Sequence, residues 1–149
     1  MYLRDLVEHY PSATVESPAL DAVRSMAEEH RLAIIVLDAD QRPYAVLSSP
    51  QILTALLPDY VVEDPNLARV LDSDDAEQML TRLNELRVAD LMPREVREVP
   101  VLSEDDTDLE AAAYMANEGI SVVAVVADGR YIGAVTVSRL LREALGRSA

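Results

Sequence analysis

Side chains able to do chemistry are few among these 149 residues, and they are thinly spread. The two histidines, His9 and His30, have no partner at metal-ligand spacing, and there is no cysteine for a disulfide or a thiolate metal site. Glu104-Asp105-Asp106 and Asp72-Asp74-Asp75 lack the alternation and closing glutamate of a calcium loop. Both precede expected helices, where acids suit the positive end of the dipole. No nucleophile elbow, Cys/His pair or glycine-rich phosphate loop occurs, and there are only four glycines. Neither a metal site nor catalysis is expected. What remains is a pair of hydroxyls, in Ser48-Ser49-Pro50-Gln51 and in Thr136-Val137-Ser138-Arg139, each between an apolar strand and a helix. Such a hydroxyl either caps the helix or, beside free N-terminal amides, contacts a phosphate or ribose. Arg139 is either a solvated residue of the outer helix face or a phosphate-binding group. Arg130 and Arg142 could add to its field.

The elements that must hold these corners recur. Leu3-Arg4-Asp5-Leu6-Val7 returns as Val88-Ala89-Asp90-Leu91-Met92, and Ala33-Ile34-Ile35-Val36-Leu37 as Val122-Val123-Ala124-Val125-Val126. Tyr44-Ala45-Val46-Leu47-Ser48 returns as Ile132-Gly133-Ala134-Val135-Thr136. The period is roughly 88 residues, far beyond the roughly 20–50 of solenoid repeats. It marks two small domains. The expected boundaries are 1–58 for the first repeat, 59–87 for an acidic helical linker and 88–149 for the second repeat.

Each repeat reads as strand, helix, strand, strand, helix, an α+β unit. In the first, an extended piece near Ala13–Val15 precedes a helix with Ser17 as N-cap and Pro18 at its first position. Val99-Pro100-Val101 is the corresponding strand of the second, and Thr107-Asp108-Leu109-Glu110 has the form of a capping box. Leu109, Ala112, Ala113, Met115 and Ala116 are expected to form that helix's buried stripe. Runs 33–37 and 122–127 are short and branched, hence buried strands, and Asp128-Gly129 is a tight hairpin turn. Ile52, Leu53, Leu56 and Leu57 should face inward from the next helix, as should Val137, Leu140, Leu141, Ala144 and Leu145 from the last, with Gly146 as its C-cap. In the linker a short helix should follow Pro65. Ser73 should cap another with Ala76, Met79, Leu80 and Leu83 on one face.

Composition narrows the partners. A net charge of −14 opposes nucleic acid, whose binding needs Lys and Arg on phosphates. All thirteen basic residues are Arg, and Phe and Trp are absent, so the core must be aliphatic with Tyr as its only aromatic. No apolar run reaches the roughly 18–20 residues of a membrane span, and the N-terminus lacks a signal-peptide layout. A cytoplasmic protein without membrane insertion is expected. Repeats of about 60 residues bury too little surface alone, so mutual burial of the two is expected. The helix faces carrying Leu140, Leu141, Leu145 and Ile52, Leu56, Leu57 predict a homodimer.

In order, spacing and duplication these motifs resemble a tandem cystathionine-β-synthase (CBS) domain pair, or Bateman module, standing alone. The resemblance rests on Asp90-Leu91-Met92, the helix ending near Met115, the strand at 122–127, and Gly133-Ala134-Val135-Thr136 leading into a helix. The first copy matches more weakly. The resemblance implies two β-α-β-β-α repeats packed with pseudo-twofold symmetry, clefts between them, and pairing of modules into disk-like dimers. It also implies a regulatory role in which an adenosine ligand such as AMP, ATP or S-adenosylmethionine alters an unknown partner protein. The alternative is a ligand-free module acting through protein contacts. The family's usual contacts are a Ser or Thr after the third strand and an Asp three residues on, for the ribose. Here Arg139 and Gln51 stand where that Asp would be. Arginine cannot accept a hydrogen bond, so ligands richer in phosphate should outrank adenosine. The expected ligand residues are Thr136, Gly133, Ser138 and Arg139, with Ser48 and Gln51 in the weaker site. Gly133 is expected to let a ligand approach the backbone, and Pro50 to remove an amide from the Ser48 site.

Overall fold

The computed structural model describes residues 1–70, 74–96 and 98–147. The first repeat runs β1 (Ser12–Thr14), α1 (Ala19–Glu28), β2 (Ala33–Leu37), β3 (Pro43–Ser48) and α2 (Ser49–Leu56). Then come α3 (Asp59–Glu63), a 3-10 turn at Pro65–Val70, α4 (Asp74–Glu85) and the one-turn α5 (Val88–Leu91). The second repeat is β4 (Val101–Ser103), α6 (Asp108–Glu118), β5 (Val122–Ala127), β6 (Arg130–Thr136) and α7 (Val137–Arg147). There are two three-stranded sheets, ordered β1-β2-β3 and β4-β5-β6. β4 runs parallel to β5, and β5 pairs antiparallel with β6. The fold is α+β.

Local chemistry accounts for most boundaries. All five residues of β2 are buried, as its unbroken branched run requires. Asp128 and Gly129 both have positive φ, at 52° and 80°, the geometry of a two-residue hairpin. The Thr107 hydroxyl accepts from the Glu110 N–H at 3.3 Å, and the Glu110 carboxylate accepts from the Thr107 N–H at 2.8 Å, closing the capping box. Helix α6 ends on Gly119 in the left-handed region (φ 65°), where the first repeat has His30 at φ 54°.

Several expectations fail locally. Ser17 does not cap α1: its hydroxyl accepts from the Thr14 N–H at 3.0 Å, and the Ala19 N–H finds the Leu86 carbonyl instead. β4 starts at Val101, two residues late, because Pro100 offers only its carbonyl, to Ala124. Gly146 lies inside α7 and does not end it. The expected stripe of α6 holds only at Met115: Ala111 and Met115 are buried, whereas Leu109, Ala112, Ala113 and Ala116 are exposed. Leu53, Leu141, Ala144 and Leu145 are likewise exposed. On α4, Leu83 is buried and Leu80 is exposed. The Ser73 cap and Asp72 lie outside the described residues, as do the side chains of Asp74, Asp75 and Ala76.

Compaction does not follow the repeats. One unit, here the first, comprises Pro11–Val36 and Ala45–Arg97; the second comprises Met1–Tyr10, Leu37–Tyr44 and Glu98–Ala149. The cores show why. Val88 and Leu91, which open the second repeat in sequence, are buried with Met26, Ile34, Ile52 and Leu56 of the first. Leu3 and Leu6, their counterparts, are buried with Met115, Val123, Val125 and Val135 of the second. Each lead turn therefore completes the core of the other repeat. In the second unit it is fixed by backbone bonds from Leu3 N–H to the Asp106 carbonyl and from Arg4 N–H to that of Glu104.

Candidate ligand site

The two strand-to-helix corners are built alike and finished differently. In the second unit, β6 hands over to α7 at Thr136, whose hydroxyl oxygen accepts from the Arg139 N–H at 3.0 Å. Thr136 thus caps the helix. Arg139 is the third residue of α7, with its side chain 31% exposed and its Nη2 3.9 Å from the Glu143 carboxylate one turn on. Its Nε is buried with no hydrogen-bond acceptor among the described residues. A buried donor left so costs about 1–3 kcal/mol. Ser138, between them, faces solvent.

Gly133 has φ 148°, and a Cβ there would lie 2.5 Å from the Glu8 carbonyl oxygen and 2.7 Å from a Val7 methyl. Glu8 and Ala134 exchange backbone hydrogen bonds at 2.9 and 3.0 Å. The close approach that Gly133 permits is that of the chain's own N-terminal segment. Arg142 of α7 pairs with Glu8, tying the same segment down.

In the first unit, Ser48 ends β3, and the Gln51 side-chain oxygen accepts from the Ser48 N–H at 2.9 Å. Gln51 is the third residue of α2, the position of Arg139. Its acceptor is committed to the corner itself. Beside it opens a cavity of about 430 Å³ lined by Pro50, Gln51 and Thr54 of α2 and by Asp90–Arg94. Of these, Asp90 accepts from the Arg87 N–H at 2.9 Å, and the Thr54 hydroxyl donates to the Pro50 carbonyl. An amide, a hydroxyl and the Arg94 guanidinium beside an apolar wall suit a small polar or anionic molecule. The sequence flagged Asp90-Leu91-Met92 only as a repeat marker. Nothing in its spacing pointed to Arg94, because the crossing-over of α5 brings it to α2.

Residues 88–146 match the sequence profile described as the CBS domain. A CBS domain-containing protein of unknown function from Kribbella flavida is 39% identical over 97% of this chain and 99% of its own, with a TM-score of 0.90. The chain belongs to the CBS-domain family. A CBS domain-containing protein of unknown function from Bacillus anthracis shares the fold at 20% identity, over 100% of this chain and 95% of its own, with a TM-score of 0.68. So does CBSX2 in complex with AMP, at 18% identity, 99% and 98% coverage and a TM-score of 0.67; CBSX2 is from Arabidopsis thaliana. A search of curated proteins returned no match. Among the described residues of this CBS-domain protein, no helix is long and apolar enough to cross a membrane, and no three His, Cys, Asp or Glu cluster to hold a metal ion.

Proposed function

We propose that the protein is a non-catalytic regulatory module that takes up an adenine nucleotide or another anionic metabolite and, by doing so, modulates a partner protein in the cytoplasm. The observation that carries this reading is the buried, unsatisfied Nε of Arg139 at the head of α7. A phosphate oxygen would supply the missing acceptor, and the positive end of an eleven-residue helix adds to the attraction. The AMP of CBSX2 indicates the class of ligand. With arginine where a ribose-binding carboxylate would be needed, charge is recognised in preference to sugar. ADP and ATP should therefore outrank AMP, S-adenosylmethionine and adenosine.

A thermal-shift panel of these ligands tests the reading. Saturation at 100 times the dissociation constant stabilises by about 2.7 kcal/mol, a rise of roughly 5–11 °C for a chain this long. Arg139→Ala should abolish the response to ATP, and Arg139→Asp should shift preference towards adenosine. A wild type that prefers adenosine to ATP, or an unchanged response in Arg139→Ala, would show the assignment to be wrong. One observation favours a second reading, a ligand-free interaction module: Thr136, Gly133 and Gln51 each have their apparent site role taken by an internal contact. Under that reading no ligand in the panel moves the melting temperature.

A further inference from the structure

Arg139 shares its side of α7 with two further charges. Arg142 and Glu143 follow at the spacing that puts side chains on one helix face, and each arginine has an acid beside it. The two pairs differ in kind. Arg142 reaches across to Glu8 on the N-terminal segment, a contact between distant parts of the chain. Arg139 meets Glu143, one turn along its own helix, with Nη2 3.9 Å from the carboxylate. That distance is too long for a hydrogen bond. The carboxylate therefore offsets charge without satisfying a donor.

Which edge of the guanidinium it faces decides what it does. Nε–H and one Nη2–H point the same way and form a fork that takes two oxygens of one oxyanion. Glu143 stands off the Nη2 half of that fork, and the Nε half is buried without an acceptor among the described residues. An oxyanion that binds both halves must move the Glu143 carboxylate aside. We propose that Glu143 is a specificity-determining residue of the Arg139 site: a built-in competitor that a phosphate has to displace, and that sets both the affinity and its dependence on ligand charge. This rests on the assignment of the anion site to Arg139. The short tether keeps the carboxylate at an effective concentration on the order of millimolar, so weak anions do not dislodge it. Its repulsion grows with ligand charge, so it holds ATP back more than AMP and leaves uncharged adenosine alone. A unit charge about 6 Å away under partial screening is worth roughly a factor of ten in affinity.

Titration calorimetry of the full chain with ATP, AMP and adenosine tests it, on the wild type, Glu143→Gln, Glu77→Gln and Arg139→Ala. Glu143→Gln should bind ATP about tenfold more tightly than the wild type, gain less for AMP and leave adenosine where it was. Its circular dichroism should be unchanged, since the Glu143 side chain is partly exposed and its one ion pair lies within α7. Should it not fold, Glu143→Ala carries the same expectation. Glu77→Gln removes the same charge from an exposed position of α4 and should change nothing. A wild type without measurable ATP binding, beside a Glu143→Gln that binds, supports the proposal equally. ATP binding that is lost in Arg139→Ala yet unaltered or weakened in Glu143→Gln would overturn the proposal and leave the anion site standing. An equal gain in Glu77→Gln would do the same, by showing an effect of net charge alone. ATP binding that survives Arg139→Ala, or no binding by the wild type and Glu143→Gln alike, would overturn site and proposal together.

Discussion

Ser48–Gln51 and Thr136–Arg139 are the same corner with one side chain exchanged, and the exchange changes what each corner can do. In the first, Gln51 turns back and satisfies the Ser48 N–H, so the third helical residue serves local structure. In the second, Arg139 has no acceptor to offer. Thr136 does the capping, and the guanidinium is left with a buried N–H that none of the described residues satisfies. A residue that serves local structure in one copy has become, in the other, one whose guanidinium reaches Glu143 while its buried Nε finds no acceptor among the described residues. Such local inconsistency is expected where a site has a further role.

Substitutions can break or sharpen this contrast. The largest effect should come from Gly133→Val, which puts a Cβ into the Glu8 backbone at a φ that side chains avoid. Strain and overpacking together cost about 3 kcal/mol or more, lowering the melting temperature by roughly 6–12 °C. Ala45→Gly, the reverse exchange in the first repeat, should cost only about 1 kcal/mol. Equal effects would show that the N-terminal segment is not what Gly133 accommodates. Next, Leu83→Ala should destabilise by about 2–3 kcal/mol in urea titrations, since it empties the contact between α4 and the α1–α2 pair. The smallest and most pointed effect is at the corners. Gln51→Ala should cost about 1 kcal/mol, whereas Arg139→Gln, which installs the first corner's device in the second, should be neutral or gain up to about 1 kcal/mol without ligand. A clear loss of stability in Arg139→Gln would mean the arginine already has its partner.

How much of this was legible in the sequence follows a physical division. Strands β2 and β5, the Asp128-Gly129 turn and the Thr107–Glu110 box were read nearly residue by residue, because each is decided by neighbours a few positions away. The α6 stripe was misread everywhere but at Met115, because Leu109, Ala112 and Ala116 are as apolar as the residues that are buried. Only knowing which helix face meets the sheet separates Ala111 and Met115 from them. In the second copy the sequence offered a cap and a ligand contact as alternatives for Thr136, and the structure shows the cap. The tenant beside Gly133 was not anticipated, since Val7 and Glu8 lie more than a hundred residues away in the chain. The role of α4 was half visible: its apolar residues were placed on one face, but that face could not name α1 and α2 as its support.

The exchanged lead turns also govern the order in which the molecule can be made. Leu83, Val88 and Leu91 are part of the first core, so a nascent chain that has displayed residues 11–56 still lacks three of that core's buried side chains. Leu3 and Leu6 emerge long before Met115, Val123 and Val135 and must wait for them before their own core closes. Both closures span long stretches of chain, and the entropy of bringing such distant segments together precedes any gain from packing them. Folding during synthesis is therefore deferred in both units, and Leu3 and Leu6, made long before their partners, wait for most of the chain before they are buried.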